Sequence, residues 1–210
     1  MLSLPVVDGC AQLWPGADLT VLARAGVATL FEASESAVRI VGYRRGNGPH
    51  KIGNLFGLGR RLQREQFHLA LLLPNSLSSA MLTWLAGVPE RLGYSTDGRG
   101  WLLTHRLPDR RKERGLHQVD YYLGLLRGLG VSQVDRIPKL QLKKKCIDMG
   151  LRLLSDMGID KRELLLGVHP GAAYGETKRW FPERFGEVLR RLHKPGRRFL
   201  LLGGPGEEQI

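Results

Sequence analysis

The chain has 210 residues, is 42% hydrophobic with ample leucine for a core, and carries a formal charge of +12 with an isoelectric point near 10.2. That is the composition of one large globular domain or two small ones, and the basic surface favours nucleic acid, anionic lipid headgroups or a phosphorylated glycan without choosing among them. No apolar run reaches membrane-spanning length, no basic segment precedes an apolar stretch at the start, and Cys10 and Cys146 fit neither a metal spacing nor a disulfide framework. These features predict a soluble, cytoplasmic chain with free thiols.

Taken in order, the spacing of apolar residues predicts a helix over Leu2–Leu13, stopped at Trp14-Pro15-Gly16. A strand follows at Leu19–Ala23, a short helix at Val27–Glu32 and a strand at Val38–Val41. Glycines and charge make Gly42–Pro49 a loop. An amphipathic helix with a basic side spans Ile52–Gln66, and His68–Leu73 is a buried strand. A helix at Leu77–Ala86 and a weak strand at Arg91–Tyr94 come next. Ser95–Leu116, rich in Gly and Arg, reads as a mobile loop, with Asp109–Glu113 a solvated charge cluster. His117–Leu129 is a helix, Ser132–Lys145 a linker and Ile147–Met157 a helix. The strand Leu164–Val168, the helix Pro182–Leu192, the strand Arg198–Leu202 and a glycine loop, Gly203–Glu208, complete the chain. Alternating strands and helices predict an α/β fold with parallel sheets and crossover helices.

The most informative stretch is LLLGVHPGAAYGETKRWFPERF, Leu164–Phe185. A buried strand ends at His169-Pro170-Gly171. A loop of small and polar residues closes on Lys178 and Arg179. Trp180 and Pro182 then lead into an amphipathic helix. Free backbone N–H groups, the positive end of a helix dipole and the Lys178 charge would converge there, which suits a phosphate. A plain β–α turn with a solvated Lys-Arg pair fits the same pattern. His169 reads as a structural imidazole and Trp180 as a packing residue.

On the other half of the chain, Pro74–Ser79 follows the strand His68–Leu73. Asn75 and the serine hydroxyls stand at a strand's carboxyl end, where ligands of such sheets bind. Helix capping by Asn75 or Ser76 is the competing reading. Arg60, Arg61 and Arg64 lie on the preceding helix, with Arg60 and Arg64 on one face. Asp8 and Asp18 are the acidic residues near the first elements, and neither is assigned a catalytic role.

The string HPGAAYGETKRWFPERF resembles the donor-site loop of the lipopolysaccharide heptosyltransferases, glycosyltransferase family 9, whose wording is PGA-x-[YF]-G-x-[AT]-K-RW-P. Phe181 displaces the last proline by one residue. Pro74–Ala80 resembles the family's PNSxxSA segment, and His117 with Tyr121 and Tyr122 its HxxxxYL helix. The resemblance implies two Rossmann-like lobes of the GT-B type. Residues 1–136 would form an acceptor-side lobe lacking its first strand, 137–160 a linker and leading helix, and 161–210 the start of an incomplete donor lobe. It therefore predicts a hole in the first sheet between Leu19–Ala23 and His68–Leu73. It implies inverting transfer of L-glycero-D-manno-heptose from ADP-heptose to the lipopolysaccharide inner core. Gly171, Ala172, Ala173, Tyr174 and Gly175 would offer backbone N–H groups to the donor phosphates, and Lys178 would steady the leaving group. Asn75, Ser76, Arg60, Arg61 and Arg64 would meet the acceptor. The family's base aspartate lies in a loop that this sequence does not contain, so a fragment without activity is expected. Neither metal nor cofactor is implied. A monomer on the inner face of the inner membrane is expected, with no nucleic acid. Another nucleotide-sugar transferase of the same family, or a basic nucleic-acid-binding module, is the alternative.

Overall fold

The computed structural model describes residues 1–34, 38–44, 50–110, 113, 115–131, 133–160, 162–172, 176–204 and 207, the side chains of 50–52 and 176 excepted. The chain divides into two compact units, Met1–Lys143 and Lys144–Ile210. In the first, α1 (Leu4–Leu13), β1 (Thr20–Arg24), α2 (Ala25–Glu32), β2 (Arg39–Tyr43), α3 (His50–Gln63), β3 (Leu69–Leu72), α4 (Leu77–Leu85) and β4 (Glu90–Tyr94) follow in order. A 3-10 turn, Arg99–Leu102, then leads to β5 (His105–Leu107) and α5 (Gln118–Arg127). The second unit holds α6 (Lys144–Asp156), β6 (Leu164–Val168), a 3-10 turn at Glu176–Lys178, α7 (Pro182–Leu192) and β7 (Arg197–Leu201).

Every paired strand is parallel: β1 with β2, β3 with β4, β4 with β5, and β6 with β7. The expected α/β alternation with crossover helices is therefore what the chain adopts. In the first unit the ladders are β1-β2 and β3-β4-β5, and β1 and β3 are not hydrogen-bonded to each other. The expected hole is present at that place. Its two borders have a definite register. Arg39 N–H donates to the Leu19 carbonyl and Glu90 N–H to the His68 carbonyl. A residue in a parallel ladder directs its N–H and C=O to the same neighbour, and the next residue directs its own to the other side. Val21 and Ala70 thus face their ladder partners, while Leu22 and Leu71 face the hole.

Helices cover both faces of this strand layer. Val6 and Cys10 of α1 pack with Val119, Leu123 and Leu126 of α5, and Leu19 and Leu71 join them. Leu62 of α3 and Leu82 of α4 pack with Val41 and Ala86, joined by Leu22 and Ala70. Adjacent residues Ala70 and Leu71 point to opposite faces of a strand, so the two clusters lie on opposite sides. Both contain residues from each ladder, which holds the ladders in one layer despite the hole. Cys10 and Cys146 are free thiols, as expected.

Two readings need correction. Ser95–Leu116 is not simply a loop. Asp97 and Gly98 adopt φ of 50° and 70°, the paired left-handed conformation that an Asp-Gly turn supplies. They feed the 3-10 turn, in which Arg99 and Leu102 are buried, and then β5. A three-residue strand is too short to show periodicity, and the glycines and arginines concealed it. Second, α3 stops at Gln63, so Arg64 lies beyond the helix. Of the expected loop Gly42–Pro49, Gly42 and Tyr43 belong to β2, while 45–49 lie outside the described residues.

In the second unit, α7 carries Pro182 in its first turn, Glu183 beside it, and Arg190 and Arg191 in its last turn, each suited to the backbone dipole. Neither α6 nor α7 has a fully buried residue. Among the described residues, no helix is long and apolar enough to cross a membrane.

Candidate functional site

The first candidate region is the carboxyl end of β3. Pro74–Ser79 turns there into α4, with Ser76 at the N-cap. The capping reading is half right. Ser76 has the cap position, but its side chain makes no capping bond, and its Oγ lies 3.2 Å from Ser78 Oγ. Ser79 Oγ donates to the Ser76 carbonyl at 2.6 Å.

The loop is strapped from within by Arg99, which is 0% exposed. Its Nε donates to the Tyr94 carbonyl at 3.0 Å. Nη1 donates to the Pro74 carbonyl and, at 3.0 Å, to Ser79 Oγ. Nη2 reaches Asn75 Oδ1 at 3.5 Å. Thr96 Oγ1 donates to the Asn75 carbonyl at 3.1 Å. From α5, Tyr121 Oη donates to Asn75 Oδ1 at 2.9 Å. Tyr121 is itself fixed, because Tyr94 stacks on it at 4.2 Å between centroids and donates from Oη to its carbonyl. Burial pushes the Tyr94 phenol up to about 12, so it stays a donor. A cavity of about 120 Å³ opens here, lined by Asn75, Arg110, Leu116, Gln118 and Tyr121. Arg110 grips Glu113 through two 2.7 Å bonds, and that hydrogen bonding holds the Glu113 carboxyl below its usual range.

Arg60, Arg61 and Arg64 are not brought to this place. A Cβ on Gly59 would meet Leu85, at the far end of α4 from Ser76. Arg64 precedes β3 whereas Asn75 follows it, so the strand separates them. The five expected acceptor residues thus form two groups. His117 is the N-cap of α5, its Nδ1 accepting from Val119 N–H at 3.2 Å. Tyr122 is a packing residue between α5 and its neighbours.

The second candidate region follows β6. His169 Nδ1 lies 3.1 Å from the Gly171 carbonyl, and Arg179 Nη2 donates to the Ala172 carbonyl at 3.3 Å. Lys178 is exposed at the end of its 3-10 turn, three residues before the Phe181 N-cap of α7. Among the described residues its ammonium makes no hydrogen bond or ion pair. Ala173, Tyr174 and Gly175 lie outside the described residues. Trp180 packs edge-on against Phe185 at 5.2 Å, in agreement with a packing role. An apolar cavity of about 330 Å³ lies between this ladder and α7, with His169 and Trp180 among its lining.

Sequence reasoning missed two residues. Arg99 was signalled only by the Asp-Gly turn before it. Glu207, in the loop after β7, accepts from Gly204 N–H at 2.7 Å and lies 3.9 Å from His169 Nε2. Its carboxylate occupies the space a Cβ on Gly171 would fill, so a larger residue there would push the Glu207 side chain aside. Among the described residues no cluster of metal-ligating side chains occurs.

Parallel ladders flanked by helices, with polar and glycine-bearing loops at their carboxyl ends, define an α/β protein of the Rossmann-like type. The sequence pattern of glycosyltransferase family 9 (heptosyltransferase) matches residues 55–210, and the chain belongs to that family. It is 26% identical, over its whole length, to lipopolysaccharide heptosyltransferase 2 of Salmonella typhimurium and to that of Escherichia coli, and it spans 61% of each. A family 9 glycosyl transferase from Veillonella parvula superposes with a TM-score of 0.85 at 22% identity, over 99% of this chain and 60% of that one. The E. coli ADP-heptose LPS heptosyltransferase II superposes at 0.81 and 24% identity, over 99% and 62%. The chain thus has the fold of the GT-B glycosyltransferases over about three fifths of the length of the proteins it matches.

Proposed function

We propose that this chain carries the acceptor-side strand ends and the donor-phosphate loop of an enzyme that moves L-glycero-D-manno-heptose from ADP-heptose to the lipopolysaccharide inner core. The family match across 55–210, which includes the Lys178 loop, carries this reading. The exposed Lys178, three residues before the Phe181 N-cap of α7, supports it. A positive group and a helix dipole there would stabilise charge developing on the departing ADP. The donor contacts would come from Gly171, Ala172, Ala173, Tyr174, Gly175 and Lys178. On the other unit, Asn75 and Ser76 would hydrogen-bond the acceptor sugar. The charge of +12 suits a phosphorylated glycan at the inner face of the inner membrane, with the protein working as a peripheral monomer.

ADP titration tests the donor half. Backbone amide resonances of residues 171–178 should shift on adding ADP. Lys178→Ala should weaken ADP binding by about ten- to a hundredfold, the range for losing one charge-assisted hydrogen bond. Equal affinity in wild type and variant would remove Lys178 from the site. Salt-sensitive retention on DNA with no response to ADP would overturn the reading as a whole.

A further inference from the structure

We infer that Arg99 and Tyr121 are positioning residues that turn the Asn75 side-chain amide so that its NH₂ group is the face offered to a sugar hydroxyl in the cavity at the end of β3. The inference rests on the acceptor reading of Asn75 and deepens it.

An amide side chain has one accepting end and one donating end, and its orientation follows from its partners. Tyr121 Oη and Arg99 Nη2 are both donors, and both address Asn75 Oδ1. They fix the oxygen inward. Among the described residues Nδ2 has no partner, so the donating end is left for a ligand. Asn75 is only half-buried and lines the cavity of about 120 Å³. One water needs roughly 10–15 Å³ by the same kind of measure, so several waters or one arm of a sugar fit.

The clamp is built well beyond what a surface loop requires. Arg99 is fully buried and reaches three successive parts of the loop: Pro74, Asn75 and Ser79. The Tyr94 ring and hydroxyl hold Tyr121 from the other side. A donor held this way has already lost its rotamer freedom before a ligand arrives. The Tyr121 hydroxyl acts through Asn75 and not on the ligand directly.

The test uses the whole chain and a deacylated inner-core oligosaccharide bearing a terminal heptose. Binding is measured by titration calorimetry, and the Asn75 side-chain NH₂ is followed by NMR. Tyr121→Phe keeps the ring stacked on Tyr94 and deletes one donor. Asn75→Asp keeps the accepting oxygen and deletes the NH₂. Each should weaken the oligosaccharide about three- to tenfold, the range for one neutral hydrogen bond, and leave ADP affinity unchanged. In Tyr121→Phe the Asn75 NH₂ should gain motion on the ps–ns timescale. Arg99→Lys should behave like Tyr121→Phe, and if it does not fold the tyrosine variant still decides.

A purely structural clamp would lower the melting temperature while leaving the affinity of the folded protein and the Asn75 motion unaltered. That result would overturn the positioning role and leave the acceptor reading standing. Wild type that binds ADP but not the oligosaccharide would instead remove the acceptor reading, and this inference with it. Tight binding by Asn75→Asp would likewise exclude the NH₂ as the contact.

Discussion

Asp8 stands on α1 between the buried Val6 and the buried Cys10. Burial raises its carboxyl above 3.8; Lys139 opposes that shift and Asp135 adds to it. A carboxyl whose folded pKa exceeds its unfolded value binds its proton more tightly in the folded chain. Its contribution is present below the unfolded value and is lost as pH rises through the folded one. Asp8→Asn should therefore be more stable than wild type at pH 7, with the difference narrowing as pH falls towards 3.8. Urea midpoints at the two pH values measure this, and an unchanged difference would show that the residue's ionisation is immaterial. At this scale the sequence was informative where chemistry was local. Lys178 sits where strand, loop and helix signals converge, and its exposure follows from that position. Arg99 was not legible, because its partners at Tyr94, Pro74, Asn75 and Ser79 are distributed over three other segments that only the fold assembles.

Helix α5 does two tasks at once, and Gly124 shows how tightly they are coupled. A Cβ there would lie 2.1 Å from Tyr94 Oη and 3.5 Å from Cζ. Gly124→Ala must displace the phenol that holds Tyr121. The expected cost is about 1–3 kcal/mol, the usual range for overpacking, and a fall of several degrees in melting temperature. On a Tyr94→Phe background the same substitution should cost less, because the clashing oxygen is gone. Equal costs on both backgrounds would dissociate the glycine from the tyrosine pair. Among elements, the long helices and apolar strands were readable from spacing alone, and β6 and α7 have the expected bounds. The 3-10 turn and β5 were not, since neither repeats a pattern long enough to exceed the local noise of glycine and arginine. The basic residues ahead of β3 were legible, but neither their sharing of a helix face nor their place was, since Arg64 lies beyond α3. That the strand separates Arg64 from Asn75 is a property of chain direction, which residue type does not encode.

At the scale of the molecule, every fully buried apolar side chain among the described residues lies at or before Leu126, within Met1–Lys143. That unit carries the cores on both faces of its strands. In the second unit, the amphipathic helices α6 and α7 have no fully buried residue. The parallel α/β class was legible because alternation of strand and helix leaves few other connections. The break in strand pairing was legible only through the resemblance to family 9, which predicted that β1 and β3 would not pair.

That break has a signature in time as well as in space. Along its two borders, alternate peptide groups meet entirely different surroundings. Deuterium uptake should therefore run like a comb: slow at Val21 and Ala70, which donate within their ladders, and fast at Leu22 and Leu71, which face the opening. Uniform retardation of all four protons would mean that something closes the space in solution. The molecule thus carries its own clock for whether that space is filled.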